Sequence, residues 1–355
     1  MAQDEKIAGV IDRWAPRFIS NGVPLSDYQE VTASLEHWVD WCHAWSARAA
    51  RHEVAGREAL VAGNTVSAAQ HLVTAGVLYH FAKFVFVEDM AQMKATHDKA
   101  IECRNLVLAY LDPPGERVEI PYEDGHLYGI LRKPAGIERP PVVVMCMGMD
   151  SAKEEMSSNE AHFHQRGLAT LAFDGPGQGE GEYDFAICPE YEKPVGAVLD
   201  FIETRDDLDT DKIGVWGVSF GGYYAPRATA YQKRIKACIA ISGPFEFYNL
   251  MQERRLHDVF VKRAHCETFE EGLEVAKRVD MSAAAKEISV PLFIVGGSLD
   301  TLTPPSHQER LAEEASGDTT LLIIEGGNHC VNNFRYKYSP QSADWMAHHL
   351  SAQSA

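Results

Sequence analysis

The segment GVWGVSFGGYYA contains a serine whose surroundings suit it for chemistry. Gly217-Val218-Ser219-Phe220-Gly221 is a G-x-S-x-G match, preceded by the apolar run IGVW and followed by a helical stretch. That strand-turn-helix context gives the motif its meaning. A serine hydroxyl is a weak nucleophile until a neighbouring base takes its proton. A sharp turn lifts the hydroxyl above the strand ends, and the strained backbone needs small neighbours, here Gly217, Gly221 and Gly222. The turn also opens a helix, so the amide of Phe220 is a candidate donor to an oxyanion.

The base and its orienting acid are expected downstream. PLFIVGGSLDTLTPP places Asp300 just past an apolar strand, and TLLIIEGGNHCVNN places His329 just past the next. The order Ser, Asp, His accompanies a nucleophile mounted above a parallel sheet, whose strand ends bring such side chains together. Asp300 is expected to bond one imidazole nitrogen and fix the tautomer, leaving the other nitrogen to take the Ser219 proton. The second oxyanion donor is assigned to the amide of Met149, in the loop Met147-Gly148-Met149-Asp150 after the run PPVVVMCMG, because Gly148 permits close approach. Cys330 beside His329 reads as packing, since serine holds the nucleophile position.

The elements that must position these groups follow from periodicity. Residues 1–112 read as helical. SDYQEVTASLEHWVDWCHAWSARAARHEV has apolar residues at helical spacing, with Ser26 as N-cap and the stripe Trp38, Trp41, Trp45 as core. TVSAAQHLVTAGVLYHFAKFVF and DMAQMKATHDKAIECRNLVLAYL continue the helical pattern, which stops at Pro113-Pro114-Gly115. After that break come two strands around Glu123-Asp124-Gly125, then apolar strands alternating with helices. Such alternation implies a mostly parallel, doubly wound sheet. The fold class expected is therefore α/β, an α/β-hydrolase fold with an N-terminal helical lid domain. The lid spans 1–112, and the catalytic domain spans 113–355 with a helical insertion at about 245–288.

Composition narrows the function. A net charge of -18 at pH 7 repels phosphate backbones, so no nucleic-acid partner is expected. The seven cysteines are scattered, with no C-x-x-C pair, which argues against a disulfide framework or zinc site. FDGPGQGEGE lacks both the dinucleotide fingerprint and a P-loop lysine, and its glycines read as a turn beneath the nucleophile. No cofactor or metal is expected. MAQDEKIAGVIDRW lacks a basic start and apolar run, and no stretch approaches a membrane span, so a cytoplasmic enzyme without a membrane partner is expected. The oligomeric state stays open between monomer and homodimer.

Candidates for the substrate pocket are Glu246, Asp150 and Tyr223. SGPFEFYN begins where a strand should end beside the nucleophile, and Glu246 there either handles a substrate hydroxyl or complements a helix start. Asp150 adjoins the oxyanion loop, whereas Lys153-Glu154-Glu155 reads as the start of an exposed helix. Tyr223 follows the nucleophile on its helix, where it either faces the pocket or packs.

The helical region, VVVMCMGMDSAKEE, DGPGQGE and GVSFGGYYAPR together resemble the α/β-hydrolase family of 2,6-dihydroxypseudooxynicotine hydrolase and the fermentation-respiration switch proteins. They are also similar to fungal pigment hydrolases that shorten polyketide chains. The resemblance implies cleavage of a carbon–carbon bond beside a ketone, in an aromatic or polyketide-like small molecule. The triad by itself leaves open an esterase or lactonase, and a non-catalytic binding protein is a third class, against which the intact Ser219, Asp300 and His329 argue.

Overall fold

The structure is a computed structural model that describes residues 4–253 and 257–351. Its contacts separate two units. One holds the described residues up to Arg117 together with Glu154–Ser158; the other holds Val118–Lys153 and the chain from Asn159 onward.

The first unit is helical: α1 (Glu5–Ser20), α2 (Leu25–Ser34), α3 (Trp41–Val61), α4 (Thr65–Lys83) and α5 (Met90–Asn105). Asp4 caps α1, its carboxylate accepting from the Lys6 amide at 2.9 Å. The stretch read as one helix from Ser26 is two, and Pro24 rather than Ser26 is the first cap. Proline's fixed φ and missing N–H cost nothing at a helix start. The break between α2 and α3 is held from far away in sequence. The Asp4 amide donates to the Glu36 carbonyl at 3.1 Å, and the Trp38 amide donates to the Asp4 carboxylate at 3.4 Å. Helical periodicity does not register such partners. The unit's core is aromatic: Phe18 stacks on Phe81 with centroids 3.9 Å apart, the Trp41 indole donates to the Phe81 carbonyl at 3.0 Å, and Trp38, Trp41 and Trp45 are all buried.

Lys153, Glu154 and Glu155 do not begin an exposed helix; each is 1% exposed. Within the helical unit, Glu155 accepts from Arg17 at 2.7 Å and from Asn21 at 2.9 Å, and His80 Nε2 lies 3.6 Å away. Burial alone would push this carboxyl up, but Arg17 and His80 reverse the effect and hold it well below the usual carboxylate range. Lys153 belongs to the other unit, where its ammonium meets Asp174 at 2.7 Å and Glu180 at 2.5 Å. A run of charges reads as solvated in sequence because its partners lie far along the chain, Arg17, Asn21 and His80 on one side and, on the other, Asp174 at the end of a strand and Glu180 beyond it.

The second unit carries an eight-stranded sheet. The strands are β1 (Gly115–Tyr122), β2 (Gly125–Arg132), β3 (Pro141–Cys146), β4 (Ala169–Asp174), β5 (Asp209–Val218), β6 (Ile235–Ile241), β7 (Leu292–Gly297) and β8 (Thr319–Ile324). They lie in the order β1-β2-β4-β3-β5-β6-β7-β8. β2 runs antiparallel to β4, and β3 to β8 run parallel. The runs VVVMC and CIAI are buried throughout, as strands covered on both faces require. Winding reverses between β3 and β5, which opens a crevice at their carboxyl ends. Cys146 pairs with Gly217 at that point, so the loops after β3 and β5 emerge side by side. The insertion after β6 is helical, with residues 254–256 outside the described ones. Among the described residues, no helix is long and apolar enough to cross a membrane.

Arg17→Met leaves Glu155 buried without its guanidinium. Breaking one side of a buried pair costs about 3–5 kcal/mol, so thermal unfolding should show a clearly lower Tm; an unchanged Tm would remove the pair from the account of the helical unit's stability.

Candidate active site

Ser219 sits between β5 and the helix Gly221–Tyr231 with φ +56°, in the left-handed region. A non-glycine residue there stores about 1–3 kcal/mol of strain, which persists only where the surroundings over-determine it. Here the Ser219 amide donates to the Ile241 carbonyl at 2.8 Å, and the Ser219 carbonyl accepts from the Gly222 amide at 2.8 Å. The flanking glycine is required, since a Cβ on Gly217 would stand 1.9 Å from the Gly221 carbonyl oxygen.

The structure brings the three expected residues together. Ser219 Oγ lies 2.8 Å from His329 Nε2, and His329 Nδ1 lies 2.8 Å from Asp300 Oδ2. The second Asp300 oxygen accepts from the amides of Leu302 and Thr303, each at 2.9 Å. Both Asp300 oxygens are thus engaged, and the carboxylate can turn only by losing bonds. Asp300 and His329 are buried. Burial alone would disfavour the imidazolium, but the facing Asp300 carboxylate outweighs it and raises the His329 pKa well above its ordinary value.

The histidine loop is fixed by groups that sequence reading missed. Cys330 and Val331 both have positive φ, +59° and +51°. The Cys330 amide donates to Ser242 Oγ at 3.0 Å, the Asn332 side chain to the His329 carbonyl at 3.0 Å, and the Tyr338 hydroxyl to the Cys330 carbonyl at 3.2 Å. Cys330 is buried and a free thiol. Nothing in the residue types alone marks Ser242 or Tyr338, because their task depends on where two strands end.

The loop after β3 lies against Ser219: a Cβ on Gly148 would come within 3.2 Å of Ser219 Cβ. Met149 and Phe220 are buried, and among the described residues neither amide donates to a protein acceptor. Two unengaged N–H groups of buried residues beside a serine hydroxyl are the donor set that an oxyanion hole requires.

The expected substrate residues fare differently. Asp150 is buried, and its charge acts on the Arg263 guanidinium, whose pKa burial pulls down to about 10. The Tyr223 hydroxyl is spent on the Pro189 carbonyl at 2.8 Å, so its ring packs and its polar tip is engaged. Glu246 is half-buried and accepts from the Asn249 side chain at 3.0 Å and from the Asn249 amide at 3.4 Å, the pattern of a charge at a helix start. His307 was not singled out by sequence. Its Nδ1 accepts from the Phe245 amide at 3.1 Å; burial lowers its pKa, with Glu246 and Asp300 acting in the opposite sense.

Comparison with known proteins agrees with this architecture. The chain is 28% identical over 334 residues to 2,6-dihydropseudooxynicotine hydrolase of Paenarthrobacter nicotinovorans, covering 93% of this chain and 90% of that one. It is 33% identical over 228 residues to the alpha/beta hydrolase xenA of Xenoacremonium sinensis, covering 60% of this chain and about half, 53%, of the fungal protein. The crystal structure of the 2,6-dihydroxy-pseudo-oxynicotine hydrolase superposes with a TM-score of 0.87 at 28% identity, over 95% of this chain and 96% of that one. The model of the prolyl oligopeptidase family matches residues 154–353, more than half of the chain and the stretch that holds Ser219, Asp300 and His329. This enzyme is an α/β-hydrolase and belongs to the prolyl oligopeptidase family.

Proposed function

We infer that the protein is a serine hydrolase that cleaves a carbon–carbon bond next to a ketone, in an aryl ketone or β-dicarbonyl substrate. The observation that carries the serine chemistry is the unbroken chain of bonds from Ser219 through His329 to Asp300. The choice of bond rests on the resemblance described above and on the relative from Paenarthrobacter nicotinovorans, which matches nearly the whole chain.

The steps balance with the groups present. His329 Nε2 takes the Ser219 proton as Oγ attacks the ketone carbon, and Asp300 stabilises the imidazolium without taking its proton. The new oxyanion accepts from the Met149 and Phe220 amides. Collapse expels the carbon leaving group with its electron pair, delocalised into an aromatic ring or a second carbonyl. The imidazolium returns its proton to that carbon. Water, deprotonated by His329, attacks the acyl-serine; collapse breaks the bond to Ser219 Oγ, which takes the proton back from the imidazolium, and frees a carboxylic acid. Ester hydrolysis would run through the same groups with oxygen as the leaving atom, so substrate profiling of aryl ketones and β-diketones against matched esters tests the choice. Esters turned over and ketones untouched would overturn the carbon–carbon reading.

Ser219→Ala should remove turnover while leaving the fold and Tm intact. Loss of one triad member costs on the order of a millionfold in a well-studied triad, so a variant retaining a tenth of the wild-type rate would exclude Ser219 as nucleophile.

The pH profile carries a sign. Attack needs neutral His329, and its pKa in the folded enzyme is raised by Asp300. Activity should therefore be present above that raised pKa and lost as pH falls through it, with the acid limb of kcat/KM lying above 6.5, the ordinary histidine value. A limb below that value would contradict the coupling.

Glu246→Gln keeps an oxygen for Asn249 and removes only the charge. A half-exposed charge at a helix start is worth about 0.3–1 kcal/mol, so the variant should lose little Tm and equal, small amounts of activity on ketones and activated esters. A large loss confined to hydroxylated ketones would return Glu246 to the substrate chemistry.

A further inference from the structure

The motif DGPGQGEGE carries, besides acids paired with Lys153 and Arg263, one neutral polar side chain with a specific arrangement. Gln178 is fully buried. Its Nε2 donates to the Met147 carbonyl and, at 3.0 Å, to the Gly148 carbonyl. Its Oε1 accepts from the Tyr191 hydroxyl at 2.5 Å. Both amide hydrogens and the amide oxygen are thus engaged, and this pattern fixes which way the amide faces.

The two carbonyls belong to the peptides that lead into the proposed oxyanion donor. A trans peptide is planar, with its C=O and N–H pointing to opposite sides. The Gly148 carbonyl and the Met149 amide share one such plane. Holding the carbonyl on Gln178 therefore aims the Met149 N–H the other way. The Ser151 amide also reaches the Gly148 carbonyl, but at 3.3 Å.

The loop is built to place this glutamine. Gly179, the next residue, has φ +47°, and a Cβ there would lie 2.1 Å from the Asp174 carboxyl. Only glycine lets the chain pass so close to the end of β4. Tyr191 is itself fully buried and stacks on Tyr224 with centroids 3.6 Å apart. Burial pushes its pKa well up, so the hydroxyl remains a donor.

We propose that Gln178, held by Tyr191, is the positioning residue of the oxyanion hole: it clamps the Met147 and Gly148 carbonyls so that the Met149 amide faces the tetrahedral intermediate. This rests on the serine-hydrolase reading above. Gln178 does not touch substrate. Its effect should appear in the transition state and not in ground-state binding.

The test uses the full chain, p-nitrophenyl butyrate as substrate and phenylboronic acid as a tetrahedral-adduct inhibitor. Gln178→Met removes both donors at similar size, Gln178→Glu sets a carboxylate against two carbonyl oxygens, and Tyr191→Phe frees the clamp. One oxyanion donor is worth about 100- to 1,000-fold in kcat, so the Gln178 variants should lose about 10- to 100-fold, with KM within about twofold. Tyr191→Phe should lose about 3- to 10-fold, a fraction of the same donor's worth. The boronate Ki should rise in step with the fall in kcat/KM, a correlation that a merely structural role would not produce. A fluorophosphonate label on wild type separates the two possible failures. Without labelling or hydrolysis by wild type, the serine reading falls and the proposal with it. With both present, variants whose kcat stays within about twofold of wild type, or whose boronate Ki does not follow kcat/KM, overturn the role of Gln178 alone. If both Gln178 variants misfold, Tyr191→Phe decides by the same criteria.

Discussion

The left-handed turn at Ser219 is the constraint around which the catalytic unit is arranged. Its φ of +56° is tolerated because the serine's own amide and carbonyl are both bonded and Gly217, Gly221 and Gly222 put no side chains where the backbone approaches closely. The Ser219 amide is bonded to Ile241, the last residue of β6, so the turn is tied to the sheet on the side away from β3. β3 approaches from the other side, bringing Gly148 against the serine. A sheet that reversed its winding elsewhere would separate these two loops. The Ser219 hydroxyl, the His329 imidazole and the two unengaged amides meet because the loops after β3, β5 and β8 all leave the carboxyl edge of the parallel strands.

The elements carrying the chemistry were largely legible in the sequence, for a physical reason. A buried parallel strand has to be apolar along its length, and a tight turn has to be glycine-rich, so strand and elbow leave local signatures. IGVW and GVSFGG carry both, and the strand-end positions of Asp300 and His329 follow from the same rule. What was not legible depends on distant partners. The split between α2 and α3 is made by Asp4, the burial of Glu155 by Arg17 and Asn21, and the fixing of the histidine loop by Ser242 and Tyr338. Each is an ordinary polar residue until the fold supplies its neighbour. Glu246 shows the converse: its place after a strand allowed either substrate chemistry or a helix-start charge, and local sequence could not see that Asn249 would occupy its oxygens.

Buried charge is used differently in the two units. In the helical unit Glu155 is compensated by Arg17 and Asn21 around one carboxylate. In the catalytic unit Lys153 is compensated by Asp174 and Glu180, near the turn that carries Gln178. Such groups add little net stability over a well-packed apolar core, but each is costly to leave half-paired. They therefore favour one arrangement of the loops over alternatives that would strand a charge.

The segment Glu154–Ser158 belongs to the helical unit although it lies between β3 and β4 in the chain. The helical unit is consequently discontinuous in sequence, and no single cut near Arg117 separates it from the rest. A fragment starting after that point would keep Glu155 while discarding Arg17, Asn21 and His80, and would thus carry a carboxylate whose compensating groups it no longer encodes.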